Sequence, residues 1–166
     1  MPQPQTTIET LYRAFNELDA EAMAACYAAD ACFEDEAFIL TSQSEIAGMW
    51  RMLCQATRNG NRADWKLSVG PVRIDEQGRG WVEWEAEYRF GPARRPVKNQ
   101  VKSRFTFDDQ GLIHTQLDRF NFWRWSWQAM GIPGAVLGWS PMFRTLVRKQ
   151  ALANLERFMA QGKTGQ

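Results

Sequence analysis

The sequence predicts an α+β fold: a cone-like, curved antiparallel sheet packed against N-terminal helices, with a C-terminal helical extension, in a single domain over 1–166. Three observations predict it. Apolar residues recur at helical spacing through about the first 60 positions. Beyond them the period falls to two over long stretches. A glycine- and proline-interrupted apolar run then leads into one last helical pattern. Helices segregated from antiparallel strands define the α+β class.

The first helix is expected over about 6–18, where Ile8, Leu11, Tyr12, Phe15 and Leu18 form one apolar stripe. Asp19 is placed to cap a second helix, with Ala22, Met23, Cys26 and Tyr27 inward and Asp30 at its end. The segment ACFEDEAFIL, 31–40, reads as a strand or tight hairpin. Ser42 or Ser44 caps a third helix with Ile46, Met49, Trp50 and Leu53 buried, and RNGNR at 58–62 ends it.

In WVEWEAEYRF, Val82, Trp84, Ala86, Tyr88 and Phe90 share one face, with Glu83, Glu85 and Glu87 on the other. In VKNQVKSRFTF, Val97, Asn99, Val101, Ser103, Phe105 and Phe107 oppose Lys98, Gln100, Lys102 and Arg104. GPARRP joins the two as a hairpin, and an acidic face beside a basic one favours their antiparallel pairing. A preceding strand, ADWKLSVGPVRID, bends at Gly70–Pro71, and DDQG turns the chain into LIHTQLDRFNFW. A final helix starts at Ser140–Pro141 and runs to about 159, with Phe143, Leu146, Val147, Leu155 and Phe158 expected inside, before QGKTGQ frays.

Composition narrows the function. The chain is 45% hydrophobic and 13% aromatic, with eight tryptophans, so it buries a real core. A net charge of +1 gives no electrostatic case for nucleic acid. Three cysteines, Cys26, Cys32 and Cys54, make no CxxC pair and read as core thiols of a reducing compartment. With no basic-then-apolar start to act as a secretory signal, a cytoplasmic location is expected. Residues 125–143 carry no charge, but three glycines and two prolines interrupt them, which argues for a buried or lid-like loop rather than a membrane span. No GxSxG, phosphate loop or cofactor fingerprint occurs, and His114 is the single histidine, so no metal and no cofactor are expected.

The opening LYRAFNELDAEAMAACYAADACFEDEAF and the later LIHTQLDRFNFW resemble the nuclear-transport-factor-2-like, or SnoaL-like, superfamily. Asn121 stands where many members end that strand with Asp. The tail WQAMGIPGAVLGWSPMFR is similar to a C-terminal extension of bacterial members. The resemblance implies a cone that hosts isomerases, dehydratases, cyclases, epoxide hydrolases and non-catalytic proteins, and a homodimer through the outer sheet face. The FEDE segment is similar to the base-bearing segment of ketosteroid isomerases, which puts Asp35 at the general base. Those enzymes add an oxyanion hole of a tyrosine and a protonated aspartate. Here Glu36 replaces a proline, Leu11 rather than Tyr12 aligns with the tyrosine, and Asn99 and Ser103 stand on the strand that would carry the second acid.

Period two also turns Asp35 inward with Phe33 and Ala37, leaving Glu34 and Glu36 outside. Burial would raise its pKa into a range useful for acid–base work. The competing reading is a hairpin whose three acids are all wet. His114, Gln116, Asp118 and Phe120 alternate on one strand face. His114 and Asp118 would stand about 13 Å apart, so each would meet a different part of a ligand; the competing reading puts His114 near the wet end of the strand and pairs Asp118 with Arg119 or a neighbouring strand. The catalytic candidates are therefore Asp35, Asp118 and His114. The expected pocket lining is Tyr12, Phe33, Trp50, Trp84, Tyr88, Asn99, Phe105 and Phe120, suited to an apolar small molecule. Trp123, Trp125 and Trp127 alternate as a strand ends, and are read as rings buried by the returning tail, or else as a lid or partner surface. Two functions fit: a cofactor-independent isomerase, dehydratase or cyclase using Asp35, or a non-catalytic binding or assembly module.

Overall fold

The computed structural model describes residues 3–163. Helix α1 (Pro4–Glu17) starts with a proline, whose missing N–H is harmless in a first turn, and stops at Leu18 in the left-handed conformation (φ 59°). Its stripe of Ile8, Leu11, Tyr12 and Phe15 is buried. The Asp19 carboxylate accepts from the Ala22 N–H at 3.0 Å and caps α2 (Ala20–Ala24). This helix ends well before Asp30. Residues 27–34 are recruited instead into a strand, β1 (Tyr27–Glu34), whose Tyr27, Ala28, Ala31 and Phe33 fill the core. After the FEDE turn, β2 (Ile39–Leu40) pairs back on β1, with Leu40 opposite Phe33. Ser42 caps α3 (Gln43–Asn59) by accepting from the Glu45 N–H at 3.3 Å.

The period-two region forms β3 (Lys66–Val69), β4 (Arg73–Ile74), β5 (Gly80–Phe90), β6 (Arg95–Phe107) and β7 (Ile113–Phe120). The sheet order is β2-β1-β7-β6-β5-β3, with β4 also on β5. Every pair is antiparallel except β1 with β7. That one parallel pair departs from the expected antiparallel sheet. The long connection through α3 and β3 to β6 frees it from hairpin geometry.

On the solvent side, Glu83 faces Lys102 and Glu87 faces Lys98. Lys102 Nζ lies 3.3 Å from Glu83 and Lys98 Nζ lies 3.0 Å from Glu85, so the acidic and basic strand faces do pair. On the concave side, rings from helices and strands meet: Phe15 with Trp50 at 5.1 Å, Phe33 with Trp50 at 5.8 Å, Tyr12 with Trp84 at 5.8 Å and with Phe105 at 6.4 Å. These contacts fill the narrow end of the cone.

The tryptophan-rich segment is a helix, α4 (Phe122–Met130), capped by the Asn121 side chain on the Arg124 N–H. It is neither strand nor loop, because the Asn121 cap favours the helical ring of hydrogen bonds. Helical geometry places Trp123 and Trp127 together, 5.9 Å apart, and Trp125 elsewhere. Only Trp125 turns to the cone. Trp123 and Trp127 stay exposed, so the tail does not bury all three rings.

A short α5 (Ile132–Leu137) packs antiparallel on α4, and α6 (Pro141–Lys163) follows. Of the residues expected inside α6, Leu155 alone is fully buried and Leu146 is exposed. The helix has apolar residues all round, and only one side meets α3. It continues past the expected end, and the last residues of the QGKTGQ tail lie outside the described residues.

Candidate functional site

Asp118 is the most enclosed acid of the sheet, 4% exposed on the inner face of β7. Its Oδ1 accepts from Ser103 Oγ at 2.5 Å and from Gln116 Nε2 at 3.0 Å. Cross-strand register makes the first contact, since Ser103 on β6 faces Asp118 directly. Ser103 is fully used: its hydroxyl donates to Asp118 and accepts from Tyr12 Oη at 3.0 Å and Trp84 Nε1 at 2.8 Å. Gln116 extends the chain, accepting from Tyr27 Oη at 2.5 Å, and Tyr27 accepts from Trp50 Nε1 at 3.2 Å. The second carboxyl oxygen, Asp118 Oδ2, accepts no hydrogen bond among the described residues. Burial drives the Asp118 pKa up to about 7, against the pull of Ser103 and Gln116, and the charge of Asp35 adds to the rise.

Asp35 sits half-buried in the turn between β1 and β2. Its Oδ1 accepts from the N–H groups of Ala37 at 2.7 Å and Phe38 at 2.6 Å, an Asx-type turn that fixes the carboxyl. Burial raises its pKa to about 6 in spite of those two bonds and of Arg148 nearby. Its charge also raises the pKa of Asp118 and of Tyr88. Burial thus raises both acids toward neutrality, and the charge of an ionised Asp35 raises Asp118 further.

Glu36 is not outside as expected. It is buried, with Arg144 Nε 3.4 Å from its carboxylate, because α6 lies over the turn. Arg148, also on α6, donates to the carbonyls of Glu36 at 3.0 Å and Asp35 at 3.2 Å. Cys32 is exposed on β1, unlike the buried Cys26 and Cys54, because its position falls on the outer face.

His114 leaves the site altogether. A register shift between Thr106 and Phe107 makes it the extra residue of β7, and the bulge turns it outward, 3.7 Å from Asp30 and 45% exposed. His114→Ala is accordingly expected to change stability by less than about 0.5 kcal/mol in urea unfolding.

The other predicted residues fall in three places. Tyr12, Phe33, Trp50, Trp84 and Phe105 are the packed rings and donors of the cone. Tyr88 packs beside them, and its hydroxyl accepts from Trp125 Nε1 at 3.0 Å. Phe120 lies at 6.4 Å from Trp125 there. Phe90 and Phe122 also lie against Trp125. Asn99 is half-buried and borders a concavity of about 780 Å³ outside the cone, walled by Glu83, Glu85, Lys98, Lys102 and Arg119. Trp84 and Phe120 reach its edge too. This charged groove is remote in character from the two acids and offers no apolar chamber.

Sequence reasoning did not assign roles to Ser103, Gln116, Tyr27, Trp125 and Arg148. The first two could have been found from their inward strand positions. The Arg148 contact spans more than 100 residues and leaves no local signal.

A SnoaL-like domain model matches residues 8–115, and the chain belongs to that family. Among solved structures it is similar to an LEH-like epoxide hydrolase from M. tuberculosis, at 19% identity and a TM-score of 0.60, covering 81% of this chain and 95% of that one. A candidate polyketide cyclase from Pseudomonas putida is similar at 13% identity and a TM-score of 0.60, covering 78% and 99%. A protein with a ketosteroid isomerase-like fold from Catenulispora acidiphila, solved with trimethylamine, gives 16%, 0.60, 84% and 100%. At these identities the likeness is one of fold. No curated protein matches the chain. Gln116 and Asp118 lie just beyond the matched segment, while their partners Tyr12, Tyr27, Trp84 and Ser103 lie within it; the helices of the extension lie wholly beyond it.

Proposed function

We propose that this protein is a cofactor-independent enzyme of the isomerase, dehydratase or cyclase type, acting on an apolar small molecule through the Asp35 and Asp118 pair. The observation that supports it is the state of Asp118: buried, anchored through one oxygen, with the other oxygen unpaired and a proton affinity near neutrality. Between the two pKa values, Asp35 is the base and Asp118 the acid. Asp35 would take a proton from carbon beside a carbonyl, or from an attacking hydroxyl. Asp118 would give one to the substrate oxygen. The neutral phenols of Tyr12 and Tyr27, pushed well above their usual pKa by burial, hold the network without competing for that proton. Entry requires Trp125 to leave Tyr88. The family relatives named as an epoxide hydrolase and a candidate cyclase handle oxygen-bearing substrates consistent with this chemistry.

The test is a panel of apolar epoxides and β,γ-unsaturated ketones assayed across pH. Turnover should follow a bell with limbs near about 6 and 7, and Asp35→Asn and Asp118→Asn should each lower kcat by on the order of 10² to 10⁴. Turnover untouched by both changes would remove the pair from the chemistry. A second reading has its own observation. Touching rings fill the space between the helices and the sheet, and a concavity of about 780 Å³ is walled largely by charged and polar side chains. Tight binding of panel members without turnover would favour a binding module.

A further inference from the structure

The C-terminal extension exposes apolar surface out of proportion to its length. Of the fourteen large apolar side chains exposed among the described residues, nine fall within 123–152. The most open are Ile132 at 79%, Trp139 and Met142 at 75% each. They do not lie scattered. Gly134 and Gly138 bring α5 against Ser126 of α4 so closely that a Cβ at either position would overlap α4. Trp123 Nε1 donates to the Ala135 carbonyl at 3.0 Å, which ties the outer faces of the two helices together. The result is one apolar surface running over α4, α5 and the start of α6. A soluble monomer rarely leaves such a patch uncovered.

Charge says what covers it. Residues 125–143 carry none, and Arg124 stands at one border with Arg144, Arg148 and Lys149 past the other. Six of the chain's twenty cations lie in 122–166, against only Glu156 of its nineteen acids. The extension is therefore basic and the rest of the chain acidic. Arg144 and Arg148 are engaged with the FEDE turn, but Arg124 and Lys149 are exposed and form no ion pair among the described residues. Arg124 also borders the sheet groove, near enough to Glu85 to help hold that carboxyl's pKa down, whereas Lys149 has no such neighbour among the described residues; two copies meeting through this surface would bring two basic extensions together, each with Glu156 as its one acid. An anionic bilayer complements them. Tryptophan rings on an uncharged face with cations at its rim are the composition of an interfacial anchor. No helix among the described residues is long and apolar enough to cross a membrane, so such a surface lies on the bilayer.

We propose that the α4–α5 hairpin and the start of α6 dock this protein onto an anionic lipid surface. The apolar side chains enter the headgroup boundary and Arg124 and Lys149 meet the lipid charge. This reading stands independently of any chemistry at Asp35 and Asp118.

The test is flotation of the full chain with vesicles of phosphatidylcholine and phosphatidylserine at roughly 7:3, beside pure phosphatidylcholine. Binding is expected on the mixed vesicles, with a blue shift of tryptophan emission and weakening by salt. Arg124→Gln with Lys149→Gln should weaken it by about twentyfold, some fivefold per cation, and leave far-UV dichroism unchanged. Trp139→Ser with Met142→Ser, both at open positions, should weaken it by at least about tenfold. No binding to the mixed vesicles, or full binding by the Trp139 and Met142 double variant, overturns the proposal. So does a concentration-dependent dimer in sedimentation velocity that the same double variant abolishes without any lipid binding, which would give the patch to a second copy.

Discussion

Asp118→Asn is expected to raise thermal stability at about pH 8 and to lower it by about 1–2 kcal/mol at about pH 4. The sign follows from proton affinity. In an unfolded chain an aspartate titrates near about 3.9, whereas Asp118 in the fold titrates at about 7. Between those values the folded state holds the proton and the unfolded state has lost it. Stability contributed at this site is therefore present below pH 4 and is lost as pH rises through 7. A shift of about three units corresponds to on the order of 4 kcal/mol. Asparagine keeps an oxygen for Ser103 and Gln116 but leaves an amide N–H pair without partners, which costs about 1–2 kcal/mol. A net gain of about 2–3 kcal/mol above neutrality remains, or a rise of about 4–10 °C in Tm for a chain of this size. Melting curves of the two proteins across pH measure it. A difference that does not change with pH would mean that Asp118 titrates as an ordinary surface acid.

The second large effect is expected at Gly134. A methyl group there would land on the Ser126 carbonyl oxygen and close to the Trp127 nitrogen, both backbone atoms that cannot turn aside. Gly134→Ala therefore forces α5 off α4 at a cost of about 3 kcal/mol or more. The break is local, because α5 touches the rest of the chain mainly through α4. Hydrogen exchange should speed up across 126–138 while β5, β6 and β7 keep their protection. Trp123 loses its bond to Ala135, so tryptophan emission should shift to the red. Unchanged exchange in 126–138 would show that the two helices do not pack as described.

Period alone located most elements. Ile8, Leu11 and Phe15 announce α1, and Val82 to Tyr88 alternate along β5 without a break. What period could not show is where it fails. His114 belongs by count to the inner face of β7, and only its pairing with β6 reveals the bulge that turns it out. Trp123, Trp125 and Trp127 fit a strand by alternation, and the Asn121 cap decides for helix. α2 ends early because β7 offers residues 27–34 a better partner than another helical turn.

The candidate site was legible in part. Asp35 and Asp118 stand out as acids on apolar faces. Their surroundings depend on register: Ser103 meets Asp118 only because β6 and β7 align as they do. The cover of α6 over Asp35 and Glu36 comes from residues more than 100 positions away, and no local pattern encodes it. Glu36 was placed outside by the same alternation that turned Asp35 in. The turn breaks that alternation, and Arg144 gives Glu36 a reason to be buried.

The account rests on two carboxyls whose protons are held by burial near neutrality. Carbon-13 NMR of protein labelled at the aspartate carboxyl carbons, followed across pH, reads them directly. Asp118 should titrate at about 7 and Asp35 at about 6, each signal assigned by its loss in the Asp→Asn variant. If both signals moved near the ordinary aspartate value of about 3.9, the acids would be in water and the account would be contradicted.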